Sequence, residues 1–159
     1  MTFIDLEFSA ATNGELPLGD IASSLVSIDE LLRDLGTLAA YPSSAEFRTI
    51  EIVAIETRNP LKIRLSLVAI PAAAVRAFQD ICRDIIRHRE RPGRPAQPAG
   101  VSECADVSLL PNTEAALNAC AGHEGQTHIT EQELQRLQGH ITALQRAEAP
   151  LRRAHVREE

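Results

Sequence analysis

The residues with the most chemistry in them are Cys104, Cys120, His123 and His128, which together read C-x15-C-x2-H-x4-H. Thiolate and imidazole are the ligands zinc prefers, and a structural site closes with four of them. The spacing argues against that use. There is no paired C-x2-C start of the kind that seeds a zinc site, and the gap between the cysteines crosses Pro111 and a helical pattern. The plainer reading is a buried thiol at Cys120 and loop histidines at 123 and 128, so no metal and no cofactor are expected. His123-Glu124 fails as a metalloprotease start. H-E-x-x-H needs both histidines on one helical face, and here the next histidine is five residues on, past Gly125.

Other candidate groups fare no better. Cys82 falls on an apolar helical stripe, where a thiol is buried and inert. Ser23, Ser24 and Ser27 cluster on a helix without the G-x-S-x-G elbow that exposes a nucleophile. The glycines are scattered and form neither a Walker A loop nor G-x-G-x-x-G. Arg87, Arg89, Arg91 and Arg94 offer phosphate contacts, but the balance of charge runs the other way. Residues 1–90 carry nine basic and thirteen acidic side chains, net −4, and the remainder seven and nine, net −2, for a total of −6. Aromatics are only 3% of the chain, with no Trp, and Phe3, Phe8 and Phe47 lie at strand ends rather than on a stacking platform.

The elements that would position any of these groups can be read from composition and period. At 159 residues, 44% hydrophobic and 24% charged, the chain builds one packed core, and that core is aliphatic. Residues 1–11 have no basic leader, and the longest apolar run, 65–75, is about half the ~20 residues a membrane span needs. Three cysteines make no disulfide framework. A cytoplasmic protein without membrane contact is expected, and sixteen cations that include only one lysine suggest a GC-rich bacterial source.

Residues 2–8 alternate, with Ile4, Leu6 and Phe8 on one face and Asp5 and Glu7 on the other, which predicts a half-buried strand. From Pro17 the period becomes helical: Leu18, Ile21, Leu25, Ile28, Leu32, Leu35 and Ala39 form one stripe. Tyr41-Pro42 ends that helix. Residues 47–57 are rich in β-branched side chains with apolar groups on both faces, which predicts a central strand or one covered on both sides. Residues 61–68 alternate again, with Lys62, Arg64 and Ser66 outward, and close a β-hairpin with the preceding run. Pro71 opens a second helix with Val75, Phe78, Cys82 and Ile85 inward.

The expected fold is α+β: a small three-stranded sheet in the order β-α-β-β-α, with two helices on one face. It is expected to form a compact domain over residues 1–87. Such a sheet leaves two open edges and some apolar surface on its second face, carried by either Ile50-Ile52 or Val53-Ile55. Residues 88–100, rich in Pro, Gly and Arg, are expected to be a flexible linker. Residues 101–159 are expected to be a mostly helical extension. It comprises a possible strand over 101–110, a short helix over 112–120, a polar loop over 123–128, and a longer helix. That longer helix opens with the capping box Thr130-Glu131-Gln132-Glu133 and a staple of Ile129 on Leu134. Its apolar seam, Leu134, Leu137, Ile141 and Leu144, is narrow and coiled-coil-like, and residues 151–159 form a charged tail.

No catalytic grouping emerges, so the expected function is a non-enzymatic protein–protein interaction or adaptor subunit. It is expected to associate with itself or a protein partner through the seam Leu134, Leu137, Ile141 and Leu144, in a bacterial assembly. The alternative is a nucleic-acid-associated regulator using the arginine linker. A zinc-dependent enzyme at Cys104, Cys120, His123 and His128 ranks third.

Overall fold

The computed structural model of the chain describes residues 1–9, 17–40, 49–57, 60–90, 111–123, 126–127, 130–146 and 151–159. The elements in chain order are β1 (Thr2–Phe8), α1 (Leu18–Ala40), β2 (Thr49–Glu56), β3 (Leu61–Val68), α2 (Ala72–Glu90), α3 (Pro111–Ala121), β4 (Gly122–His123), β5 (Gln126–Thr127), α4 (Glu131–Arg146) and β6 (Leu151–Glu158). The α+β class holds, but the main sheet has four strands, not three. Their order is β2-β3-β1-β6, with every neighbouring pair antiparallel. The fourth strand is the expected charged tail. Leu151, Ala154 and Val156 face Phe8, Leu6 and Ile4 across the β1–β6 pairing, and the charged residues between them point the other way.

Two β-α-β units interleave in this order. The pair β1 and β2, joined through α1, embraces β3; the pair β3 and β6, joined through α2, α3 and α4, embraces β1. This is the split β-α-β arrangement. Residues beyond 100 therefore build the same core as the first ninety, and Leu117, Leu137, Ile141, Leu144 and Leu151 join Ile4, Leu32 and Phe78 in one buried cluster. Of the expected linker over 88–100, residues 88–90 belong to α2 and residues 91–100 lie outside the described residues, as does the expected strand over 101–110. α2 continues past the expected boundary at 87 to Glu90.

The period-2 and period-3.6 patterns explain the layers. Ile4, Leu6 and Phe8 of β1 and Leu61, Ile63, Leu65 and Leu67 of β3 are buried beneath the helices. On α1 the buried set is wider than the expected stripe. Leu31, Leu38, Gly36 and Ser24 join Ile21, Ile28, Leu32 and Leu35, while Leu25 is partly buried and Leu18 stays exposed. The second buried face exists because α1 also carries α4 and the end of α3. The Cys120 thiol donates to the Leu35 carbonyl at 3.4 Å, and Arg136 donates to Asp34 at 2.8 Å. The start of α3 is tied to α2 instead, where the Thr113 hydroxyl donates to the buried Asp84 carboxylate at 3.0 Å. α3 thus bridges α1 and α2.

The capping box forms as its sequence predicts. The Glu133 N–H donates to the Thr130 hydroxyl at 3.2 Å, and the Thr130 N–H donates to the Glu133 carboxylate at 3.3 Å. The staple residue Ile129 lies outside the described residues. The expected polar loop over 123–128 includes a two-residue ribbon in which β4 pairs with β5. Between β3 and α2 the chain turns at Ala69, whose φ of 60° is left-handed and costly for a residue with a Cβ.

Candidate protein-binding surface

β2 is the departure that matters most. It was expected at the centre of the sheet or covered on both sides. It is instead an edge strand, exposed from Glu51 to Glu56. Its pairing with β3 runs Ile50↔Leu67, Glu51↔Ser66 and Ile52↔Leu65, then resumes at Ala54↔Arg64 and Ile55↔Ile63. Val53 is the extra residue of a β-bulge, so Ile52 and Val53 together stand against Leu65. The bulge resolves the choice between the Ile50-Ile52 and Val53-Ile55 sets. A regular strand would send them to opposite faces. One added residue brings Ile55 back to the side of Ile50 and Ile52, which is the helix side.

The helices do not reach that far. Ile50 packs against the core, but Ile52 is 50% exposed, Val53 49% and Ile55 53%. Among the described residues, these three β-branched side chains form an apolar strip that no element covers, beside a strand edge that no other strand pairs. The other edge, β6, presents Arg152, Arg153, His155, Arg157 and Glu158. Charges and bulges are both recognised guards against edge-to-edge pairing; β2 has the bulge and the flanking Glu51 and Glu56, but no charge over residues 52–55.

The face of the sheet turned away from the helices is a charge lattice, and its residues line a concavity of about 710 Å3 together with Gln79 and Arg83 of α2. Asp5 on central β1 takes Arg64 of β3 at 2.7 Å and Arg157 of β6 at 3.0 Å. Glu7 takes Lys62 of β3 and Arg153 of β6, each at 4.0 Å. The hydrogen bond from Arg64 holds the Asp5 carboxyl below its ordinary range, helped by the charges of Arg64, Arg157 and His155. Asp5 in turn raises the Arg64 guanidinium. Each β1 acid is therefore matched by cations from both flanking strands. Phe3 sits at the end of β1, opposite Ser66 and Arg157, so its ring is off the centre of this face, where His155 stands opposite Asp5.

The expected seam on α4 has its partner inside the chain. Leu137, Ile141 and Leu144 are buried and Leu134 partly buried in the single copy, so this stripe is not available to a second one. The amphipathic period was real, but α1 is the surface it meets. His140, beside the seam, lies 3.2 Å from both Glu30 and Asp34 of α1. Of the metal candidates, Cys104 and His128 lie outside the described residues, and His123 is placed by its backbone alone at the end of β4. Cys120 is buried, and burial pushes its thiol up to about 11. Burial raises the Cys82 thiol further. Neither is a thiolate at neutral pH, the form that binds metal or attacks carbon. Among the described residues no group of three or more His, Cys, Asp or Glu is placed to hold a metal ion. No described helix is long and apolar enough to cross a membrane.

No family model matches the chain, and no curated protein or solved structure matches it either.

Proposed function

We propose that this chain is a non-enzymatic protein–protein interaction subunit that self-associates, and that the contact is made by the apolar strip of β2. The observation that carries the reading is the half-exposure of Ile52, Val53 and Ile55 on a strand that, among the described residues, is paired on one side only. An edge strand presents unpaired backbone N–H and C=O groups, and an exposed apolar one is a template for another chain. The strip gains from removal of its side chains from water, and the edge gains from completing its ladder. The β6 edge supports the same reading by contrast, since it is charged along its length while β2 carries no charge over residues 52–55.

The test is the mass of the full chain in solution, by light scattering or sedimentation over a wide concentration range. The parent should associate. Ile52→Lys with Ile55→Lys should shift the population to monomer with an unchanged circular dichroism spectrum, because both positions are already half in water. A parent that stays monomeric at the highest concentration, or an oligomer indifferent to the two lysines, would overturn the reading.

A further inference from the structure

We infer that the occupant of the β2 edge is a second copy of this chain, bound antiparallel about a two-fold axis that passes between Ile52 and Val53. This rests on the reading of β2 as the self-association contact, and adds its symmetry and register. The argument starts from the faces of the strand. By its pairing with β3, Thr49, Glu51, Ala54 and Glu56 belong to the open face, and Ile50, Ile52 and Ile55 to the helix face, with Val53 doubled beside Ile52 at the bulge. Reading outward from the 52/53 boundary, the faces are the same in both directions: helix side, open side, helix side, open side.

That symmetry is what a two-fold strand pair requires. Residues directly opposite each other in an antiparallel pair lie on the same face, and a two-fold axis pairs each residue with the symmetry mate of another in the same strand. An unbulged strand meets both conditions only when the axis passes through a residue. The bulge lets the axis pass between two.

The register that follows also has the best chemistry. Ile52 meets Val53 of the second copy, and Ile50 meets Ile55, so the helix face of the junction is aliphatic. On the open face Glu51 meets Ala54 and Glu56 meets Thr49, with no like charges directly opposed. Moving the axis onto Ile52 sets Glu51 against Val53. Moving it onto Val53 sets Glu51 against Ile55. Moving it a full residue, to the boundary after Val53, sets Glu51 against Glu56. The sheet would run on through the junction as eight strands, with both charged β6 edges at its ends. Only eight residues per copy make the strand contact, so the dimer is expected to form and dissociate with concentration rather than stay permanently closed.

Cysteine pairing tests the register in the full chain, with Cys104→Ser as background so that the remaining thiols are the buried Cys82 and Cys120. Facing residues have Cα atoms roughly 4.5–5.5 Å apart, within reach of a disulfide. A mixture of Glu51→Cys and Ala54→Cys chains should oxidise mainly to the mixed dimer, and either chain alone should crosslink poorly, because its two cysteines then lie three residues apart along the junction, about 10 Å. Adding Ile52→Lys to the Ala54→Cys chain should reduce the mixed dimer roughly tenfold or more, as expected for loss of a buried contact. Efficient self-crosslinking of the Glu51→Cys chain or the Ala54→Cys chain alone would overturn the register while leaving β2 as the contact. A stoichiometric foreign protein bound to a single copy through β2 would overturn the second copy as occupant. Association that survives the two lysines of the preceding test would overturn both readings.

Discussion

Asp5 accepts two hydrogen bonds from one guanidinium, with Arg64 Nε at 2.7 Å and Nη2 at 3.3 Å. The pair is cross-strand, since Asp5 faces Arg64 in the β1–β3 ladder. The forked geometry explains why the Asp5 carboxyl is held below its ordinary range, and Arg157 on the other side adds to it. A carboxyl with a lowered folded-state pKa contributes stability above its unfolded value, near 4, and loses it as pH falls through the folded value. Asp5→Asn should therefore lower the melting temperature at pH 7 and flatten its fall between about pH 4 and pH 2 relative to the parent. Parallel acid limbs in the two proteins would show that the pair is not linked to folding.

The location of the α4 seam gives a contrast between two kinds of apolar residue. Leu137→Ala should destabilise the whole chain by about 2–5 kcal/mol, as should Leu32→Ala on α1, because both side chains are fully buried. Ile52→Ala removes a side chain half in water, and should cost the isolated fold about 1 kcal/mol or less. Chemical denaturation at a concentration low enough to hold the chain monomeric separates the two classes.

Because β6 pairs along β1 and α4 packs on α1, the pieces on either side of residues 91–110 belong to one core. A protease site engineered between Ala96 and Gln97 should yield two fragments that co-elute under native conditions and separate only in denaturant. A folded, free fragment of the first ninety residues would mean that β6 is dispensable to the sheet.

Ser24 is buried on α1, and its hydroxyl has no hydrogen-bond partner among the described residues. Ser24→Ala removes an unsatisfied polar atom and improves helix propensity, so it should stabilise by roughly 1 kcal/mol. A loss of stability in urea denaturation would show that the hydroxyl is bonded.

Ala69 adopts a left-handed conformation between β3 and α2. Glycine adopts it without the Cβ clash, at some cost in unfolded-chain entropy, so Ala69→Gly should stabilise by about 0.5–1 kcal/mol net. Ala69→Val should destabilise, since a β-branched side chain tolerates positive φ least.

Much of this fold is local, and to that extent it was legible in the chain. Ile4, Leu6 and Phe8, the α1 stripe through Leu32, the β3 alternation and the Thr130–Glu133 box each arise from contacts a few residues apart, and each stands where its period puts it. β6 carried a readable alternation too, with Ala154 and Val156 between charged neighbours, but two small apolar side chains among arginines are a weak signal. The bulge at Val53 left a trace as well. Glu51 and Glu56 share the open face, yet they are five residues apart, an odd spacing that a regular strand cannot place on one side. Tertiary structure alone decided what each apolar face would meet. A stripe such as Leu137-Ile141-Leu144 records that it needs a partner but not which one, because the hydrophobic effect is non-directional. The run Ile50–Ile55 records apolar side chains but not strand order. It lies at an edge because β3, and not β2, pairs with β1, and β6, a hundred residues further along the chain, takes the other side of β1, so that among the described residues β2 is paired on one side only.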